Sequence, residues 1–215
     1  ANRSERDPDE ARRGGAGTTG LFAICEAAAG ALQGLDLGDQ RLLLPVDERS
    51  VNGEEGLALW EQRCEVRRFM ERVTTRYIPP RNAEVAVLLP CSARKPYSLS
   101  QSHRRFQMAV GARAHELIVT SPLGLVPREL ETVYPAMHYD VPVTGYWDAE
   151  ECAVIAGVLT AYFKKNPYRR VIAHLEGGAL KVARIAAEAC GIALECSCTE
   201  NPAGDAALNA LDAAL

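Results

Sequence analysis

The sequence predicts an α/β protein of three layers, with helices covering both faces of a four-stranded parallel sheet. Two observations predict it. Short apolar runs recur at 83–90, 115–122, 169–178 and 192–198, each of strand length. Between them lie stretches with helical spacing of apolar residues, bounded by Asp148 at one helix start and Gly191 at another helix end.

Taken in order, residues 1–20 are charged and then Gly/Thr-rich, and read as a flexible leader. Residues 21–80 form an N-terminal helical and extended segment, with an Ala-rich helix at 21–34 and a short strand at 41–48. Apolar residues at 66, 69, 70, 73 and 77 predict a helix late in 56–77, ended by Pro79-Pro80. An α/β domain follows over 81–198. "AEVAVLLP" (83–90) is its first strand, a helix covers about 102–114, and "HELIVTSP" (115–122) is its second strand. A long Pro-rich loop is expected over 123–147, then a helix over 148–166 with Asp148 as N-cap and two lysines in its last turn. "RRVIAHLEGG" (169–178), a helix at 179–191 and "IALECSC" (192–198) complete the alternation, and 199–215 is a tail or terminal helix.

Composition excludes several classes. About a quarter of the 215 residues are charged and nearly half apolar, which is globular composition. A net charge of −4 argues against coating nucleic acid through global charge, while leaving room for a local basic patch. Seven irregularly spaced cysteines read as free thiols in a reducing compartment, not a disulfide framework. No apolar run approaches the ~18 residues of a membrane span, so a cytoplasmic protein with no membrane partner is expected.

The chemistry concentrates in "PCSARKPYSLSQSH" (90–103), which leaves the first strand. It holds a thiol, two cations, a phenol, four serine hydroxyls and a histidine within fourteen residues. Ligands of open α/β sheets sit beyond the carboxyl ends of strands, where strand order reverses. "LEGG" (175–178) leaves the third strand, so neighbouring first and third strands would bring both loops to one pocket. Arg94, Lys95 and a following helix N-terminus would lower the Cys91 pKa and favour thiolate. Plainer readings stand beside this one: Cys91 as buried filler, "KPY" as a turn, His103 as a helix cap. Between Cys91 and His115 stand Arg94, Lys95, Arg104, Arg105 and Arg113 and no acid, a basic face suited to phosphate.

The pattern Pro-Cys-x3-Lys-Pro-Tyr-x2-Ser-x2-His is similar to the signature of archaeosine synthase, the archaeal tRNA-modifying relative of tRNA-guanine transglycosylase. It reads here as Pro90, Cys91, Lys95, Pro96, Tyr97, Ser100 and His103. The flanks "EVRRFMERVTTRYIPP", "SPLGLVPRELE", "YPAMHYDVPVTGYWD" and "AHLEGG" resemble the same family, so the resemblance spans roughly residues 60–198. It implies a uracil-DNA glycosylase-like architecture with strand order 2-1-3-4, which sets the first and third strands side by side. Full-length members carry a transglycosylase-like half before this domain and an RNA-binding PUA domain after it. Neither is recognisable here, so they are expected as separate domains or subunits.

The resemblance implies addition of free lysine to the nitrile of 7-cyano-7-deazaguanine in the D-loop of archaeal tRNA, giving an amidine that a radical-SAM partner enzyme cleaves to archaeosine. On that reading Cys91 is a thioimidate-forming nucleophile or a positioned thiol, and Lys95 and His103 transfer protons or orient substrate. Pro90, Pro96, Tyr97, Ser100, Glu176 and Gly177 line the substrate site, Tyr97 offering a stacking face or a hydroxyl. Asp148 and Glu176 hold the lysine amino group, Asp148 reading equally as an N-cap, and Arg94, Arg104 and Arg105 contact RNA phosphates. No metal and no cofactor are expected.

Two further readings remain open: a non-catalytic tRNA-binding or assembly module, and a glycosylase-type enzyme. The second lacks an acidic or Asn water-activating residue in "PCSARKPYS". "LEGG" lacks a Walker or GxGxxG pattern, so a tight strand-to-helix turn is its plain reading. "CGIALECSC" has three cysteines but no CxxC pair. His138, Tyr139 and Asp140 either border the pocket or pack on the sheet edge, and Trp60 and Trp147 read as packing residues.

Overall fold

"VAVLLP" forms the central strand because it alternates in a way that two cores exploit. In β1 (Val85–Pro90), Ala86 and Leu88 point into one apolar cluster while Val85, Val87 and Leu89 point into the other. A computed structural model describes residues 63–139 and 147–215. The expectations for 1–62, and those for Asp140 and its neighbours to Tyr146, lie outside the described residues.

β2 (His115–Thr120) and β4 (Arg170–His174) flank β1, both parallel to it, and β5 (Leu194–Cys198) runs parallel to β4. Their order in the sheet is β2-β1-β4-β5. The sheet is nevertheless mixed and five-stranded, because β3 (Gly124–Pro127) adds to β2 antiparallel. This corrects the expectation of a four-stranded, wholly parallel sheet and of a continuous loop over 123–147. Gly124, at φ 72°, lets the chain fold straight back on β2, and Leu125 and Val126 are then fully buried.

Helices α1 (Cys64–Glu71, continued by a π turn over Arg72–Arg76), α3 (Ala149–Lys165) and α4 (Gly177–Cys190) contribute to the first cluster. Helices α2 (Gln101–Val110) and α5 (Asp205–Ala214) cover the opposite face through Phe106, Val110, Leu208 and Leu211. Asp148 caps α3 by accepting from the Glu151 N–H at 2.7 Å, and Gly191 closes α4. Arg105 ties α2 to α5 through the Ala203 carbonyl and Asp205, and Arg113 does so through Asp212. Among the described residues, no helix is long and apolar enough to cross a membrane.

The β2–β3 reversal has a measurable consequence. A Cβ on Gly124 would stand 2.8 Å from Val158 Cγ1 with φ at +72°, whereas one on Gly157 would meet nothing within 4 Å. Gly124→Ala should therefore lower unfolding free energy by about 2–5 kcal/mol in chemical denaturation. Gly157→Ala, inside α3, should raise it by about 0.5–1 kcal/mol.

Candidate active site

The segment after β1 is held by one histidine. His103, in the first turn of α2, is fully buried, and its Nε2 lies 3.0 Å from the Pro90 carbonyl oxygen. Its Nδ1 accepts from Arg128 Nη2 at 2.8 Å. An arginine only donates, so Nδ1 is the bare nitrogen and Nε2–H donates to Pro90. Burial, then the adjacent Arg128 charge, push the His103 pKa down to about 3. The ring is a neutral strut with both nitrogens committed.

Arg128 anchors that strut. Its Nε donates to Glu116 Oε2 at 2.9 Å, Nη2 also meets Glu116, and Nη1 donates to Glu131 Oε2 at 2.8 Å. Glu131 Oε2 in turn accepts from the Ser98 N–H at 3.0 Å. One guanidinium thus joins β2, the turn after β3, the motif loop and α2. Ser100 belongs to the same frame: its buried hydroxyl accepts from the His103 N–H at 3.2 Å and caps α2.

A second cluster, built mainly of hydroxyl groups, surrounds Cys91. Thr120, the last residue of β2, hydrogen bonds the Cys91 thiol and lies 2.6 Å from the Tyr139 hydroxyl, which is 2.5 Å from the Tyr97 hydroxyl. Lys95 Nζ sits 3.9 Å from the centroid of the Tyr139 ring. Burial raises the Cys91 pKa, outweighing Thr120 and Lys95, and the Glu151 carboxylate pushes the same way as burial. This corrects the expectation of a thiolate. Desolvation of the thiol is the largest effect, and the Thr120 hydrogen bond and the Lys95 charge that oppose it do not offset it. Tyr97 and Tyr139 are likewise pushed well above the ordinary phenol range by burial. Cys91, Thr120, Tyr139 and Tyr97 form a chain of protonated S–H and O–H groups.

Glu151, in the first turn of α3, acts electrostatically on the Cys91 thiol. It is 4% exposed, and its Oε1 and the Ser121 Oγ have no hydrogen-bond partner among the described residues. Burial raises the Glu151 pKa, and the Ser121 hydroxyl partly offsets it. The two groups therefore influence each other without reaching hydrogen-bond geometry.

The predicted site residues divide. Cys91, Lys95 and Tyr97 come together, while Pro90, Ser100 and His103 form the support beneath them. Tyr97 is fully buried with its ring 5.2 Å from that of His103, so it offers hydroxyl chemistry and no stacking face. Pro96 precedes the 3-10 turn that buries Tyr97. Glu176 and Gly177 turn elsewhere: Glu176 accepts from the Asn201 N–H at 2.8 Å, and Gly177 opens α4 at φ 53°. Gly178 lets Trp147 approach, a Cβ there standing 3.3 Å from it, so "LEGG" is a tight strand-to-helix turn. From outside the motif, Thr120 of β2 hydrogen bonds Cys91, Tyr139 joins it through Thr120, and Glu151 of α3 acts on it by charge. Arg105 is bound to Ala203 and Asp205, whereas Arg94 and Arg104 are exposed, with no salt bridge among the described residues. Arg128, Glu116, Glu131, Thr120 and Glu151 were not singled out by the sequence reading. A glutamate inside the buried run "HELIVT" was the available signal, since a buried carboxylate requires a partner.

The pKa of His103 sets a pH dependence. Its folded value of about 3 lies below the ordinary 6.5, so the unfolded chain binds the proton first as pH falls. The contribution is fully present above about 6.5 and is lost progressively down to about 3. Denaturation across this range should show wild type losing stability relative to His103→Gln as pH falls. A difference independent of pH would show that the ring is not held neutral.

Residues 66–215 match a family described as a domain of unknown function, DUF5591. Archaeosine synthase subunit alpha of Methanosarcina acetivorans is 53% identical over 133 residues, which cover 60% of this chain and 21% of that protein. Archaeosine synthase of Haloferax volcanii is 56% identical over 117 residues, covering 54% and 20% respectively. The crystal structure of AF0587, a protein of unknown function, aligns with a TM-score of 0.56 at 31% identity, covering 68% of this chain and 48% of that one. The chain spans about a fifth of the length of these curated relatives. Every residue of the two clusters falls within the matched segment, and the chain belongs to the DUF5591 family.

Proposed function

We propose that this chain carries the nitrile-addition step of archaeosine formation in tRNA. The substrate is 7-cyano-7-deazaguanine within archaeal tRNA, and the nucleophile is free lysine. The carrying observation is a protonated thiol, Cys91, just beyond the carboxyl end of the central strand, linked to hydroxyls and within electrostatic reach of the Glu151 carboxylate. The similarity to proteins named archaeosine synthase supports the same reading.

The chemistry follows from the protonation states. The Cys91 S–H adds across the nitrile: a carbon–sulfur bond forms, one C≡N π bond breaks, and the thiol proton goes to nitrogen through the neighbouring hydroxyls. The thioimidate carbon then accepts the amine, the carbon–sulfur bond breaks, and a proton from the amine returns to sulfur. The products are an amidine and the free thiol. Lys95 helps to hold the Cys91 and Tyr139 side of the site through its charge, and His103 positions Pro90 and Cys91.

The rest of the assignment follows the same reading. Residues 81–198 form the catalytic domain, of uracil-DNA glycosylase-like architecture. Exposed Arg94 and Arg104 contact tRNA phosphates, with Arg105 contributing less because it is bound to α5. Transglycosylase-like and PUA domains or subunits would supply base exchange and further RNA contact, and a radical-SAM partner would cleave the adduct.

The test mixes protein, lysine and tRNA bearing 7-cyano-7-deazaguanine, and measures nucleoside mass after digestion. Wild type should yield a nucleoside heavier by one lysine, and Cys91→Ala should lower the rate by on the order of 10³-fold or more. Turnover of Cys91→Ala within about tenfold of wild type would remove the thiol from the chemistry. Binding of tRNA by wild type with no adduct would favour a binding module instead.

A further inference from the structure

We propose that Glu151 is the receptor for the primary ammonium of the amine co-substrate, holding it beside Cys91 and taking its proton before attack. The inference rests on the addition reaction proposed above and names the residue that selects its nucleophile. It starts from two orphaned atoms in one place. Glu151 is 4% exposed, yet its Oε1 has no partner among the described residues, and neither does the buried Ser121 Oγ. Buried polar side-chain atoms are overwhelmingly hydrogen-bonded, so two orphans together mark a position that a ligand completes.

Helix α3 does not itself require this carboxylate. Asp148 already caps the helix, and Glu150, exposed in the same turn, complements the dipole without desolvation. The missing group can be deduced from what is present. An ionised carboxylate only accepts, and a serine hydroxyl accepts as well as donates. A primary ammonium brings three donors and a positive charge, enough for both atoms, with charge-assisted bonds to the carboxylate. An anion would face Glu151, and a neutral apolar group would leave both orphans unsatisfied.

Location adds the chemical role. Ser121 directly follows Thr120, whose hydroxyl lies 2.6 Å from that of Tyr139 in the Cys91 cluster, and the Glu151 charge acts on the Cys91 thiol. An amine must be unprotonated to attack, and the proton balance closes on this residue. The ammonium N–H bond breaks, its proton joins the Glu151 carboxylate, and the released lone pair forms the new carbon–nitrogen bond. The carboxylic acid then returns the proton to the amidine nitrogen, which regenerates the carboxylate. Burial, which raises the Glu151 pKa, favours this acceptance.

Glu151→Gln tests the proposal because it preserves shape and the backbone N–H that Asp148 caps. Two measurements are made on wild type and variant: calorimetric binding of lysine, and initial rates with lysine or hydroxylamine as nucleophile on cyano-deazaguanine tRNA. Hydroxylamine is largely neutral at pH 7 and needs neither a counter-charge nor deprotonation. Lysine binding and kcat/KM for lysine should each fall roughly 10- to 100-fold in the variant, while the hydroxylamine rate changes less than about threefold. Ser121→Ala should weaken lysine binding several-fold. Equal loss with both nucleophiles would mean a structural role and overturn the proposal, as would unchanged lysine binding. The failures of the two readings separate. Lysine binding that depends on Glu151 without adduct formation supports the receptor while sinking the addition reaction. Adduct formation unaffected by Glu151→Gln does the reverse.

Discussion

Everything around Cys91 depends on how the Arg128 guanidinium is satisfied. Its side chain is 14% exposed, and it is matched by Glu116, Glu131 and the bare Nδ1 of His103. Removing one member of such a buried ionic group typically costs about 3–5 kcal/mol, because the remaining charge stays desolvated. The partners come from different parts of the chain: β2, the turn after β3, and α2. Since Glu131 also receives the Ser98 N–H and His103 also holds the Pro90 carbonyl, the arginine sets the path of the loop that carries Cys91. The extra strand β3 is part of this design. It ends at Pro127, which delivers Arg128 to the carboxylate of Glu116 on the neighbouring strand.

The two clusters differ in electrostatic character, and that difference suits the proposed addition. The Arg128 cluster is ionic and internally satisfied. The Cys91 cluster is built from a thiol and hydroxyls held protonated by burial, with the Lys95 ammonium over an aromatic face and a carboxylate left partly unsatisfied. A neutral thiol can add to a nitrile and supply the proton that the nitrogen needs. A thiolate would require that proton from another acid. The motif accordingly splits by environment, with Ser100 and His103 in the framework and Cys91 and Lys95 beside the buried hydroxyls.

Much of this was legible in the chain. The apolar runs located the four parallel strands, and the alternation within "VAVLLP" is the trace of two cores. Asp148 and Gly191 marked helix ends by chemistry that acts locally. What stayed hidden is long-range. Strand β3 is four residues between a proline and a charged turn, too short to show a period and stable only because β2 lies beside it. Arg128 in "PRELE" looks like an ordinary surface charge until Glu116 and His103 are brought to it. The basic run after Cys91 looked available for phosphate, yet Arg105 and Arg113 meet Asp205 and Asp212 from the far end of the sequence. The thiolate expectation failed for a related reason: neighbouring charges can be counted in a sequence, whereas desolvation cannot.

The proposal that His103 supports the site while Cys91 reacts in it is tested most directly by the turnover of His103→Gln. Glutamine can donate to the Pro90 carbonyl and accept from Arg128, as the neutral ring does, but it cannot relay a proton by titrating. With the lysine-adduct rate as readout, His103→Gln should stay within about tenfold of wild type while Cys91→Ala loses on the order of 10³-fold or more. A loss in His103→Gln as deep as that of Cys91→Ala, in a protein with unchanged tRNA binding and cooperative unfolding, would make His103 a proton-transfer residue and not a strut.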